Sequence, residues 1–186
     1  MKKIALNRRR AILIIAGLAL AYFAVPFPFL TEGSRSDVQE ASIRWLFRHN
    51  ASGLQDKLQV CFVGIGTTFD PSDNDCHPHD PPKEFVDRFA GFPVPVLPVS
   101  QSATARPQRP GYIDSPDGGI FGHVVDSAGR RGLIFGAGNV RRWSLGVALC
   151  RGYYYEAGLS AGGYDIIILR LPGLWIPVWA RMRWVS

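Results

Sequence analysis

Cysteine is scarce in this chain: three in 186 residues, at positions 61, 76 and 150. Three thiols allow at most one internal bridge, which excludes a disulfide scaffold. Metal-ligand spacing is also missing. Cys76-His77-Pro78-His79-Asp80 gathers a thiol, two imidazoles and a carboxylate, but there is no second Cys/His pair, and the other histidines are His49 and His123. Structural zinc sites draw ligands from two places, so the segment reads as a solvated loop, and no metal or cofactor is expected. Asp70, Asp73 and Asp75 stand among Pro, Ser and Asn, where turn formation explains them. A calcium loop would need a Gly and a distal Glu at set spacing. No nucleophile elbow is read either. Gly158-Leu159-Ser160-Ala161-Gly162 falls in a hairpin turn, whereas the elbow is a strand-to-helix turn.

Charge of one sign is absent from the start. The first ten residues hold Lys2, Lys3, Arg8, Arg9 and Arg10 and no carboxylate, and no charge interrupts Ala11–Leu30. Cations followed by hydrocarbon form an export signal. Twenty residues at about 1.5 Å each reach about 30 Å, the thickness of a bilayer core. One reading is an uncleaved membrane anchor through residues 11–30. The other is a signal peptide cleaved near Ala21, where Ala19-Leu20-Ala21 supplies small residues. Pro26 and Pro28 suit either. Both readings keep the cations inside and put the C-terminal part outside the cytoplasm. No Cys follows the apolar run, so the lipoprotein pattern is excluded.

The formal charge of +6 comes from 21 basic and 15 acidic side chains. Without the five N-terminal cations, 16 basic groups face 15 acidic ones, about +1. The charge is therefore a topology signal. A nucleic-acid partner would need basic residues clustered on the folded domain, and Arg130-Arg131 and Arg141-Arg142 read as solvated turn and edge charges.

The reading divides the chain into a signal-anchor segment (1–30), a short linker (31–35) and one domain (36–186), a size that buries a real core. Ser36-Asp37-Val38-Gln39 reads as a capping box. Val38, Ala41, Trp45, Leu46 and His49 then share a helical face, which Asn50 and Gly53 end. Trp45 and Leu46 are expected in the core beside Phe62 or Ile134. A strand over 58–65 follows, then a short helix from Asp80 with Phe85 and Phe89 inward. Residues 91–119 read as a long loop holding one strand. Strands follow over 123–126, 132–135, 140–143, 147–155, 164–171 and 175–184. Leu171-Pro172-Gly173-Leu174 reads as a hairpin turn, and Pro177 belongs at an edge or a bulge. Helices first and strands after argue α+β: a long helix packed on a curved antiparallel sheet.

The segments Arg48-His49-Asn50-Ala51-Ser52-Gly53, Asp70-Pro71-Ser72-Asp73, Gly152-Tyr153-Tyr154-Tyr155-Glu156-Ala157-Gly158-Leu159-Ser160 and Met182-Arg183-Trp184-Val185-Ser186 resemble a family of small exported, membrane-anchored bacterial proteins with no assigned activity. The resemblance covers most of residues 37–186. It implies one compact exported domain and supplies no substrate or catalytic residue. Residues 74–81 and 106–110 depart from it.

The candidate binding residues are Tyr153, Tyr154, Tyr155 and Glu156. In a strand Tyr153 and Tyr155 face one way and Tyr154 and Glu156 the other. The inward tyrosines also suit a core, with Glu156 paired to an arginine such as Arg44. Two functions fit. The first is a noncatalytic binding or interaction module held at the membrane, its partner an envelope protein or a small ligand. The second is a small extracytoplasmic hydrolase with Glu156 as general base near Tyr153–Tyr155. With no catalytic signature, the first is preferred. The cysteines at 61 and 150 sit in apolar strands and read as small buried hydrophobes rather than as a bridge.

Overall fold

The computed structural model describes residues 8–24, 31–54, 57–66, 78–105, 123–157 and 160–185. Helix α1 spans Arg8–Ala24 and α2 spans Glu32–His49; α3 is a single short helix over Lys83–Asp87. The strands are β1 (Val60–Ile65), β2 (Val96–Pro98), β3 (Ala103–Ala105), β4 (His123–Val125), β5 (Gly132–Arg142), β6 (Val147–Ala157), β7 (Ser160–Leu171) and β8 (Leu174–Val185). All eight strands form one sheet. Its main path is β2-β1-β5-β6-β7-β8, and the β3-β4 pair joins at the end of β6 through His123 opposite Ala157. The architecture is α+β.

The sheet is mixed, which corrects the expectation of an antiparallel one. β1 runs parallel to both β2 and β5, with Phe62 opposite Leu97 on one side and Ile134 on the other. Parallel neighbours need a long crossover. The chain between β1 and β2 supplies one, and α3 lies within it. From β5 onward the pairing is antiparallel. The β7–β8 hairpin turns at Pro172-Gly173 with Gly173 at φ +76°, as the turn chemistry indicated. Pro177 sits at a register shift opposite Ile167–Ile168 on an edge strand, where a missing N–H costs no ladder bond.

Helix α2 begins five residues earlier than the sequence suggested. Thr31 is the cap, its hydroxyl accepting the Ser34 N–H at 3.3 Å. Residues 32–35 are thus a first helical turn rather than a linker. Asp37 and Gln39, read as parts of a capping box, do other work. Asp37 pairs with Arg88, and buried Gln39 donates to the Ala137 carbonyl of β5 at 3.1 Å. Val38, Ala41, Ile43 and Leu46 are buried against the sheet, each fully buried aliphatic side chain contributing about 1.5–3 kcal/mol. Leu46 lies over β6 at Gly152, where a Cβ would stand 2.7 Å from its Cδ1. Trp45 is only half-buried. It stacks on exposed His49 at 4.7 Å and meets Tyr164 edge-on at 5.4 Å.

The sheet separates two clusters. The α2 side holds Cys61, Val63, Leu133, Phe135, Cys150, Tyr154, Ile166 and Ile168. The other side holds Val60, Phe62 and Val124, with Leu97, Ile134 and Tyr155 against them. Phe62 and Ile134 therefore do not meet the helix as expected, because alternation sends them to the opposite face. Phe85 and Phe89 are buried as expected, and a run of rings (Phe85, Phe89, Phe92, Phe47, Phe135) ties α3 and its following turn to α2 and β5. Cys61 and Cys150 are free and buried; Cys76 lies outside the described residues, as do residues 67–77, 106–122 and 158–159.

From Ile12 onward helix α1 is apolar on every side. Ile12, Leu13, Ile14 and Ile15 follow one another about 100° apart and are all more than half exposed, as are Leu18 and Leu20. Among the described residues no helix is long and apolar enough to cross a membrane; residues 25–30 lie outside them. The end of α1 touches the domain. The Gly146 N–H, in the β5–β6 turn, donates to the Tyr22 carbonyl at 3.0 Å.

Candidate functional site

Strand β6 brings the four candidate residues to two different places. Tyr153 and Tyr155 face the side away from α2, where they line a cavity of about 480 Å³ with Pro78, His79, Asp80, Val99, Ser100 and Ile134. Tyr153 lies flat over β5 because Gly136 stands opposite it; any Cβ there would overlap the tyrosine ring. Tyr153 is buried and Tyr155 half-buried. The floor is therefore aromatic and preformed by the sheet.

The rim comes from the segment after β1. His79 pairs with Ile65 through both backbone groups, at 2.8 and 3.0 Å. This extends the sheet by one bridge and holds the exposed His79 and Asp80 side chains at the mouth. The Asp80 carboxylate accepts the Ser100 N–H at 2.8 Å and the Ser100 hydroxyl, closing the far wall. The expectation of a solvated loop holds for the exposure of His79 and Asp80 but misses this fixed backbone and the carboxylate clasp. Among the described residues no group of three metal-ligating side chains converges; Cys76 and His77 fall outside those residues. The lining can offer a ligand aromatic faces, hydroxyls, one imidazole and one carboxylate edge.

Tyr154 and Glu156 turn to the opposite side. Tyr154 sits in the α2 cluster, and desolvation, reinforced by Tyr164 and Glu156, raises its phenol above the usual value. Glu156 is buried in a polar knot. Its Oε2 accepts the hydroxyls of Ser52 at 2.6 Å and Ser160 at 2.7 Å. Arg131 stands 3.7 Å from Oε1, and its Nη2 lies 2.9 Å from His123 Nδ1. The expected arginine partner was Arg44, which instead pairs with Glu40 at 2.8 Å and lies over the rings of Phe89 and Phe92. Ser52 also accepts the Leu54 N–H at 3.0 Å. The knot thus joins the loop after α2, the residue before β5, the end of β6 and the start of β7.

This geometry keeps Glu156 out of the tyrosine-lined cavity. A general base must reach the proton it removes, and this carboxylate is already engaged as acceptor by two serine hydroxyls. Ser160 opens β7 opposite Ala157 of β6, so it is followed by a strand and lacks the helix that a nucleophile elbow needs. What sequence reasoning missed is the far wall. Nothing in the spacing of Asp80, Ser100 and Ile134 announces that they meet. No protein-family description, curated protein or solved structure matches this chain.

Proposed function

We propose that this chain is a noncatalytic binding module, held at the membrane by its N-terminal segment with the domain outside the cytoplasm, and that the module takes a small ligand in the cavity over Tyr153 and Tyr155. The observation that carries the reading is that cavity: about 480 Å³ with an aromatic floor and a polar rim, within the size range of small-molecule sites. The anchor reading is supported by five cations before an uncharged run and by a helix that is apolar on every side from Ile12 onward, a pattern that belongs inside lipid or inside protein. The resemblance to small exported proteins points the same way.

A cavity-filling substitution tests the ligand. Val99→Trp places an indole in a wall that is only half-buried, so the fold should tolerate it. Full-length protein is extracted from membranes and examined by native mass spectrometry beside wild type. The expected result is a small molecule carried by wild type and lost from Val99→Trp at an unchanged Tm. The same bound mass in both proteins, or none in either, would remove the cavity from the reading. A reporter fused after Ser186 that works only in the cytoplasm would remove the topology.

A further inference from the structure

The cavity over Tyr153 and Tyr155 exists because side chains are missing from the sheet beneath it. Gly64 of β1 stands opposite Gly136 of β5, and Gly136 stands opposite Tyr153 of β6. Residues directly opposite one another share a face of the sheet. Pro78 and Val99 close over Gly64, where a Cβ would stand 2.6 Å from Pro78 Cβ and 3.4 Å from Val99 Cγ1. Two residues on, Gly66 lies at φ +119° beneath the His79 ring, where a Cβ would stand 3.1 Å from Cδ2. The segments around Pro78 and Val99 thus rest on bare backbone, and the wall over Gly64 is hydrocarbon.

The opposite wall is a carboxylate. Among the described residues no lysine or arginine lines the cavity, and Asp80 is its one acidic group. Lys83, the nearest lysine or arginine in the sequence, is turned onto Asp87 at 2.7 Å. Among the described residues Asp80 has no ion pair; its partners are the N–H and the hydroxyl of Ser100. A carboxylate offers about four acceptor positions, and Ser100 fills two of them. Asp80 is exposed, so the rest are open to a ligand. Both donors of Ser100 are spent on the clasp. This wall therefore presents negative charge and acceptor capacity, with no donor of its own.

We propose that the cavity takes a small organic cation, an ammonium group on an apolar body: the ammonium donates to the open positions of Asp80, and the body lies against Pro78, Val99 and Ile134. The assignment rests on the cavity reading above and narrows it. A phosphate or carboxylate ligand would meet Asp80 with no cation in the lining to offset the repulsion. A neutral polyol needs donors as well as acceptors, and the serine that could donate is occupied. A bond from an ammonium to a carboxylate is roughly twice as strong as a neutral one. The half-buried Tyr155 adds an aromatic surface, which attracts cations.

The test titrates the full chain, in nonionic micelles at about pH 8, where imidazoles are uncharged. The probes share one shape: phenethylamine, phenethyl alcohol and hydrocinnamate. Saturation-transfer NMR reads binding, and the signal that persists in Val99→Trp is subtracted as binding elsewhere. The amine should bind about tenfold tighter than the alcohol, and hydrocinnamate not at all. Asp80→Asn keeps the clasp, since its carbonyl accepts the Ser100 N–H and its amide donates to the Ser100 hydroxyl. Only the charge is lost, so amine and alcohol should then bind within about twofold of each other. Amine and alcohol bound alike by wild type, or hydrocinnamate bound best, overturns the cation and leaves the cavity standing. An amine preference that survives Asp80→Asn, or an amine signal undiminished in Val99→Trp, places the ammonium elsewhere and overturns the proposal. No binding of any probe overturns the cation as well, while the mass retained by extracted protein still decides the cavity. That retained molecule should contain a basic nitrogen; a sugar, a fatty acid or a phosphate ester in its place refutes the cation alone. The comparison of the three probes in wild type needs no variant, so it decides the matter even if Asp80→Asn folds poorly.

Discussion

Replacing Glu156 separates a structural carboxylate from a reactive one. In Glu156→Gln one carbonyl oxygen remains to accept from Ser52 and Ser160. The two hydroxyl bonds, now at 2.6 and 2.7 Å, change from charge-assisted to neutral, a loss of about 0.5–1 kcal/mol each. The ion pair with Arg131 adds little, because it is long and Arg131 is 42% exposed; exposed pairs contribute about 0–1 kcal/mol. The expected total is about 1–3 kcal/mol. Glu156→Ala removes the acceptor altogether and leaves buried Ser52 with an unmet hydroxyl, which raises the loss to about 3–5 kcal/mol. For a domain of this size that corresponds to a Tm lower by about 2–4 °C per kcal/mol. Urea melts of wild type, both variants, Ser52→Ala and the double variant give the coupling directly. A coupling of about 1–2 kcal/mol between positions 52 and 156 is expected. A coupling below about 0.3 kcal/mol, or Glu156→Ala no less stable than Glu156→Gln, would refute the knot as a structural clasp and return Glu156 to the list of reactive groups.

Burial pushes the Cys150 thiol up to about 12, and that of Cys61 further still; with Cys76→Ser, native protein at pH 8.5 should react with a disulfide reagent more than 100-fold slower than unfolded protein, and two thiols should appear on unfolding without reductant. A count of zero would mean a bridge. Burial of Asp126 favours its neutral form, but the backbone N–H and guanidinium of Arg130 and the N–H of Ala128 outweigh it, so its carboxyl sits below the ordinary value. A depressed carboxyl stabilises fully above the unfolded value of about 3.9 and loses that contribution as pH falls through the lower folded value. Wild type should therefore lose more stability than Asp126→Asn below about pH 4, and parallel curves for the two in acid melts would contradict the turn geometry.

What was legible in the sequence follows the range of the physics involved. The α2 face was legible in part, because burial at a 3.6-residue period leaves a local trace: Val38, Ala41 and Leu46 are buried, but Trp45 is half-buried, His49 is exposed, and fully buried Ile43 was not read. Its start was not, since Thr31, Ser34 and Ser36 all carry capping hydroxyls and only the chain direction chooses among them. The strands from β6 on, the β7–β8 turn and the place of Pro177 were legible from β-branched runs and turn residues, whereas β5 was read as two strands, 132–135 and 140–143, and is one, Gly132–Arg142. The parallel pairing of β1 was not: Val60–Ile65 reads alike with parallel or antiparallel neighbours, and its partners lie about 35 and 70 residues away. The same limit hid the cavity. Alternation separated Tyr153 and Tyr155 from Tyr154 and Glu156 correctly, but the clasp of Asp80 on Ser100 depends on which strands meet.

The β6 strand shows why its two sets of residues do unlike work. Up to Tyr155 the register with β7 is regular, and each residue has one assigned face. Between Tyr155 and Ala157 the register shifts, the mark of a bulge, which re-aims the residue it contains. Glu156 is that residue. A carboxylate at this point of an unbroken ladder would stand on the sheet among the apolar groups of the α2 side, at a desolvation cost that no neighbour offsets. Re-aimed at the end of the strand, it reaches Ser52 beyond α2 and Ser160 across the turn. The bulge thus lets one strand supply an aromatic floor to the cavity on one face while its last residues hold the helix loop in place on the other. On this argument the cavity's shape depends on the knot only through the backbone of Tyr155, so substitutions at Glu156 should cost stability without altering which small molecule the cavity carries.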